Sequence, residues 1–188
     1  MKMRLLLLLA AALLSAGCLV RSVQPWLPEE SLVKEPSLLG TWHDVRNKCL
    51  VSFTGDPEEY QVLVVDNGKD VSRFVATLHR LDDVLLLQVG PAEPENMNGC
   101  ALLPAYLLFK AVLKDKALKL FEIDVDSFAK HVEKMPVPLL AGGSKDDGYV
   151  LTGTAAESEA FLRAHLADRR FFASQPLYSF RKLPAAAP

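Results

Sequence analysis

The chain has 188 residues, enough for one folded unit with extended ends. Half of the residues are hydrophobic and 23% are charged, a globular balance that argues against intrinsic disorder. A net charge of −2 sets aside a strongly basic nucleic-acid binder. The first element in chain order is a leader. Lys2 and Arg4 make a positive start, Leu5 to Leu14 is an unbroken apolar run, and Ser15, Ala16 and Gly17 are small. That order is the pattern of a secretory signal over residues 1–17. The apolar run would span roughly 15 Å as a helix, about half of a bilayer core, so it is too short to cross one.

The segment Leu14-Ser15-Ala16-Gly17-Cys18 resembles the lipobox of bacterial lipoproteins, with Ser15 where Leu is commoner. The resemblance implies cleavage before Cys18 and acylation of its sulfur and new terminus by palmitate-type chains. Loss of Lys2 and Arg4 with the leader takes the net charge from −2 to −4. Several acyl chains make a permanent anchor, where one would be marginal. Leu19, rather than Asp, follows the cysteine, which implies sorting to the outer membrane.

Residues 18–37 read as a tether, because Pro25, Pro28 and Pro36 interrupt any helix and Glu29, Glu30, Lys34 and Glu35 keep the stretch solvated. Trp26 and Leu27 either pack on the domain edge, the preferred reading, or dip into the lipid interface. Residues 38–183 form one β-rich domain, and 184–188 form a flexible tail. Strands are expected over 38–42, 49–53 and 59–65. Asp66-Asn67-Gly68 then marks a tight hairpin, because Asn-Gly tolerates positive φ. Further strands follow over 71–80 and 84–89, separated by Leu81-Asp82-Asp83, and over 106–113 and 117–123, separated by Lys114-Asp115-Lys116.

Asp124 is placed to cap a first helix, with Ile123 and Phe128 as a hydrophobic staple and Phe128, Val132 and Met135 on one face. Pro136 and Pro138 end it. Residues 142–148 are a loop and 149–151 a short strand. Thr154 and Glu157 have capping-box spacing for a second helix over 155–168, and 177–183 is a closing strand. The predicted class is mainly β (α+β): a curved antiparallel sheet or lipocalin-like barrel with two helices near the C-terminus.

Leu39-Gly40-Thr41-Trp42 is similar to the G-x-W motif that opens lipocalin-type barrels. The resemblance implies that Gly40 and Trp42 close one end of a barrel, with Arg181 in the place of the arginine that covers the Trp. The family's Thr-Asp-Tyr-like motif is absent. The order of elements from Leu39 to Leu183 also looks like uncharacterised bacterial lipoproteins, which implies a lipid-anchored single domain and no particular activity.

With Cys18 lipidated, Cys49 and Cys100 remain. In an oxidising compartment they are a disulfide pair closing a loop of about 50 residues; the alternative is two buried thiols. His43, His79, His131 and His165 lack close metal-ligand spacing, and no cofactor motif occurs. His43-Asp44 is the most catalytic-looking pair, but neighbours in a strand face opposite ways. Glu122, Asp124 and Asp126 read as helix-capping acids rather than a calcium loop, and Arg163, Arg169 and Arg170 as complement to a helix end. No catalytic residue is assigned. The expected function is a non-enzymatic, lipid-anchored envelope module that holds a small apolar ligand in its barrel or docks on an envelope protein. Large residues such as Phe109 and Phe121 favour a filled interior over a cavity. A purely structural or docking lipoprotein is the alternative, and a hydrolase assembled from distant residues is third.

Overall fold

Local turn chemistry sets up most of the fold. Asn67 and Gly68 have φ of 48° and 68°, and Asp115 and Lys116 have 49° and 62°, the two consecutive positive values of a tight hairpin. A computed structural model describes residues 19–92, 105–131, 137–139 and 148–184. Its strands are β1 (Val20–Ser22), β2 (Gly40–Asp44), β3 (Cys49–Asp56), β4 (Glu59–Asp66), β5 (Asp70–Leu81), β6 (Val84–Pro91), β7 (Tyr106–Lys114), β8 (Ala117–Glu122), β9 (Tyr149–Leu151) and β10 (Tyr178–Lys182). Among the described residues two α-helices, α1 (Val125–Ala129) and α2 (Ala155–His165), stand between β8 and β10.

Strands β2 to β8 form an antiparallel meander. β10 returns after the helices to pair with both β8 and β2, closing an eight-stranded barrel. The last joint sets Lys182 opposite Trp42 and Arg181 opposite His43, across about 140 residues of chain. The expected mainly β class and barrel are thus observed. Closure removes every free strand edge from the ring. Outside it, β1 pairs antiparallel with the start of β7 and parallel with β9.

Period-two alternation divides the apolar residues between two cores. One lies inside the barrel and includes Trp42, Val51, Phe53, Leu87, Phe109 and Phe180. The other lies between the outer wall and the helices and includes Trp26, Leu86, Leu108, Phe128, Phe161 and Phe171. Phe121 belongs to the outer one, opposite Lys110, whose ammonium lies 4.8 Å from its ring centroid. α2 starts with the expected capping box: Glu157 N–H donates to the Thr154 hydroxyl and Thr154 N–H to the Glu157 carboxylate. Asp124 caps α1 by accepting from Ser127 N–H at 2.7 Å. α1 is a short helix that ends at Ala129, while Val132 and Met135, expected on its face, lie outside the described residues.

Residues 19–37 are not a free tether. β1 is built into the sheet, Trp26 is fully buried, and the Gln88 side-chain carbonyl accepts the Trp26 and Leu27 N–H groups. The indole N–H of Trp26 reaches the Tyr106 carbonyl. Prolines that forbid a helix do not forbid an extended segment bound along a barrel wall, and this stretch takes that course. The preferred packing of Trp26 and Leu27 on the domain is the one observed. No helix of the described residues is long and apolar enough to cross a membrane.

Candidate functional site

The side chains that alternate inward enclose a cavity of about 830 Å³. Its walls are apolar: Val51 and Phe53 from β3, Val62 and Val64 from β4, Phe74 from β5, and Leu87, Phe109, Leu120 and Phe180 around the rest of the ring. The expectation of a filled interior is therefore corrected. Phe121 points out of the barrel, and the mostly medium-sized lining leaves the middle open.

One end is sealed. Trp42 is fully buried and donates its indole N–H to the Leu38 carbonyl at 2.8 Å. Leu38 comes from the segment that crosses under the barrel and is itself buried. The Tyr60 hydroxyl fixes that segment, donating to the Glu35 carbonyl and accepting from the Glu35 N–H. Lys182, not Arg181, covers the Trp42 ring, with Nζ 5.2 Å from the centroid. Register decides this: Lys182 is the cross-strand partner of Trp42, whereas Arg181 faces the other way, opposite His43. Gly40 has φ of 115°, and a Cβ there would come within 3.1 Å of Lys182 Cε, so this position needs a glycine.

The other end is the mouth, where β3 begins, β4 ends and β10 begins. Its lining is polar: Asn47, Asp66, Asn67 and Ser72, with Cys49 and Tyr178 just inside. Asp44, Cys49 and Asp66 are direct partners across β2, β3 and β4, so one row carries two carboxylates with a thiol between them. Asp44 is buried. Burial alone would raise its pKa, but donation from Ser179 N–H at 2.7 Å and from the backbone and side-chain amide of Asn47 outweighs this and holds the carboxyl below its usual value. Burial, then Asp66 and Asp44, push the Cys49 thiol up. Burial, followed by the charges of Cys49 and these carboxylates, does the same to the Tyr178 phenol.

The other expected residues scatter. His43 and Asp44 both lie in β2 and face opposite sides, so they form no catalytic pair. Arg163 bonds Glu159 and Asp82, and Arg170 bonds Asp168, all near the surface. His165 stacks on Phe171 and packs at a tilt against Phe161, with His131 beside it. Among the described residues no group of three or more His, Cys, Asp or Glu is placed to hold a metal ion. Cys18 and Cys100 lie outside the described residues, as do 142–147 and the tail from 185.

His79 does gather hydroxyls. Its Nδ1 is 2.8 Å from the Ser31 hydroxyl and its Nε2 2.9 Å from that of Thr77, which also accepts from the Gln88 amide. The Ser31 hydroxyl donates to the Pro28 carbonyl, so the ring's N–H is directed at Ser31, and Ser31 is not activated as a nucleophile. This is a staple that fastens residues 28–33 to β5. Burial lowers the His79 pKa to about 4, against the opposing pull of Glu159 and the Pro28 carbonyl, so the ring is neutral near pH 7.

Asn47 and Tyr178 were not singled out from the sequence as site residues, and Asp44 was considered only as a partner of His43. The signal was parity: Cys49, Val51 and Phe53 are buried and alternate with less buried neighbours, and Asp66 continues the phase of Val62 and Val64. No protein-family model, curated protein or solved structure matches the chain.

Proposed function

We propose that the protein is a non-enzymatic, lipid-anchored module of the bacterial envelope that carries a small apolar molecule inside its barrel. The observation that carries this reading is the cavity of about 830 Å³, apolar in its depth and polar at its mouth. Ligand sites usually fall between about 300 and 1,000 Å³ and combine apolar walls with a few polar groups that fix orientation. The lipobox-like run ending in Cys18 supports the anchor, and Leu19 supports the outer membrane as its place. Cys49 and Cys100 are proposed to form a disulfide in that oxidising compartment.

The docking alternative has less behind it. Among the described residues the exposed large apolar ones are few: Val45 just after β2, Val71 in β5, Val112 in β7 and Leu183 just after β10. A hydrolase has no support in the His79 cluster, where the serine hydroxyl is bonded to a carbonyl.

The test is uptake of a neutral fluorophore, N-phenyl-1-naphthylamine, by the purified protein. Saturable fluorescence enhancement is expected from the wild type, and Val64→Phe, which fills the lumen, is expected to abolish it while thermal unfolding stays cooperative. No enhancement with the wild type, or equal enhancement with the folded variant, would refute a lumenal site.

A further inference from the structure

The charge at the mouth bears on which apolar molecule enters, an inference that rests on the carrier reading above. Among the described residues, Asp66 is the only charged one lining the cavity. The buried Asp44 carboxylate lies two strands away in the same row, with Cys49 between them. The nearby cations do not offset this inside the lumen. Arg46 is tied to the carbonyls of Pro176 and Leu177, and Lys48 and Lys69 are exposed; none of the three lines the cavity. The donors nearest the carboxylates are already spoken for: the Asn47 amide bonds Asp44 and the Leu177 carbonyl, and the Asn67 amide bonds Asp66.

An amphiphile fits this cavity in one orientation, chain down towards Phe53 and Phe109 and head at the mouth beside Asp66. An ionised head needs a partner of opposite sign or a set of free donors, or it loses its hydration without replacement. For a carboxylate head the mouth offers the Ser72 and Tyr178 hydroxyls beside the negative charge of Asp66, and among the described residues no cation lines it. For an ammonium head it offers a carboxylate acceptor. For a hydroxyl head it offers Asp66 as an acceptor, with the Ser72 hydroxyl beside it.

We propose that the lumen selects amphiphiles with a cationic or an uncharged, hydrogen-bond-donating head, such as long-chain amines and alcohols, and rejects the matching carboxylates. The carboxylate of Asp66 is the discriminating group. The negative mouth sets the order of affinity, and the apolar walls supply binding common to all chains of one length.

The experiment displaces N-phenyl-1-naphthylamine from the full-length folded protein with decylamine, decanol and decanoate below their micelle concentrations at pH 7.5. Amine and alcohol are expected to bind at least tenfold more tightly than decanoate. Asp66→Asn is isosteric at an exposed turn. It should weaken the amine and strengthen decanoate, each by about fivefold as expected for one unit charge at close range in a wet site, and weaken decanol less than the amine, because the Asn Oδ1 still accepts from a hydroxyl. Decanoate binding as tightly as the amine to the wild type, or an unaltered amine-to-decanoate ratio in Asp66→Asn, would overturn the selectivity while the carrier reading survives. Failure of the wild type to take up the fluorophore at all would overturn both.

Discussion

Lys182 lies across the ring of Trp42 as its direct partner between β10 and β2, with the ammonium 5.2 Å from the ring centroid. This pair sits where β10 meets β2, the first strand of the barrel, and the ring closes. The same ammonium donates to the Ser37 carbonyl, so one side chain ties the final strand, the plug and the segment that crosses beneath it.

Two substitutions at this seal should be costly for different reasons. Trp42→Ala removes a fully buried indole and leaves the Leu38 carbonyl without its donor, a loss of about 3–5 kcal/mol. Gly40→Ala should cost about 1–3 kcal/mol, because its backbone is held at φ of 115° and the new methyl crowds Lys182. Urea unfolding reads both. A Gly40→Ala midpoint equal to that of the wild type would mean that the backbone relaxes there at no cost.

Acid should loosen the fold through His79. Its pKa is about 4 in the folded protein against 6.5 in an unfolded chain, so the unfolded state binds more protons between these values. Stability is therefore expected to be highest above pH 6.5, to fall as pH drops through this window, and to lose on the order of 1–2 kcal/mol by pH 5. Asp44 acts in the same sense at lower pH: its depressed pKa stabilises the fold above the usual carboxylate value of 3.8, and that contribution is lost only as pH falls below it, beneath this window. Urea midpoints at pH 7.5 and 5 measure the effect. His79→Gln, which keeps polar partners for Ser31 and Thr77 without a titrating ring, should flatten the dependence. An equally steep dependence in that variant would place the effect elsewhere.

How far the fold was legible follows from which contacts are local. Asn67-Gly68 and Asp115-Lys116 announce their hairpins, and the even-numbered phase of Phe74, Ala76 and Leu78 gives the inner face of β5. Val71 shows the limit, since it falls outside that phase and is exposed. β1 went unseen because three residues among prolines are a strand only through partners about 85 and 130 residues away. The exchange of Arg181 for Lys182 as the cover of Trp42 is likewise a matter of register, and adjacent residues in one strand cannot be told apart without it. The open lumen was hidden for another reason. Volume depends on which face each large side chain takes, and Phe121 takes the outer one.

The early pairing of the chain bears on its anchoring. Leu19 already accepts from Tyr149 N–H, and Val20 pairs with Tyr149 in β9. A lipid on Cys18 would therefore hold the barrel against the bilayer with almost no slack. Cys18→Ser is expected to move the protein from the membrane to the soluble envelope fraction, and the mass of the wild-type N-terminal peptide should show acyl chains. Continued membrane association of the variant, or a bare thiol on the wild type, would refute the anchor.

Reduction should also weaken the fold. Cys49 is buried at the mouth, and β6 ends and β7 begins at that same end of the barrel, so the chain that carries Cys100 leaves and returns there. A bridge between them would close a loop of about 50 residues, worth about 2–4 kcal/mol through constraint of the unfolded chain. In a protein of this size that corresponds to a fall in melting temperature of about 5–15 °C when the bridge is cut. Protein isolated from the envelope is expected to show no maleimide-reactive thiol when denatured, two after reduction, and the lower melting temperature only in the reduced form. Two reactive thiols before reduction, with no shift on adding reductant, would leave Cys49 as a plain buried thiol, which the raised pKa imposed by its burial and by Asp66 would keep slow to react.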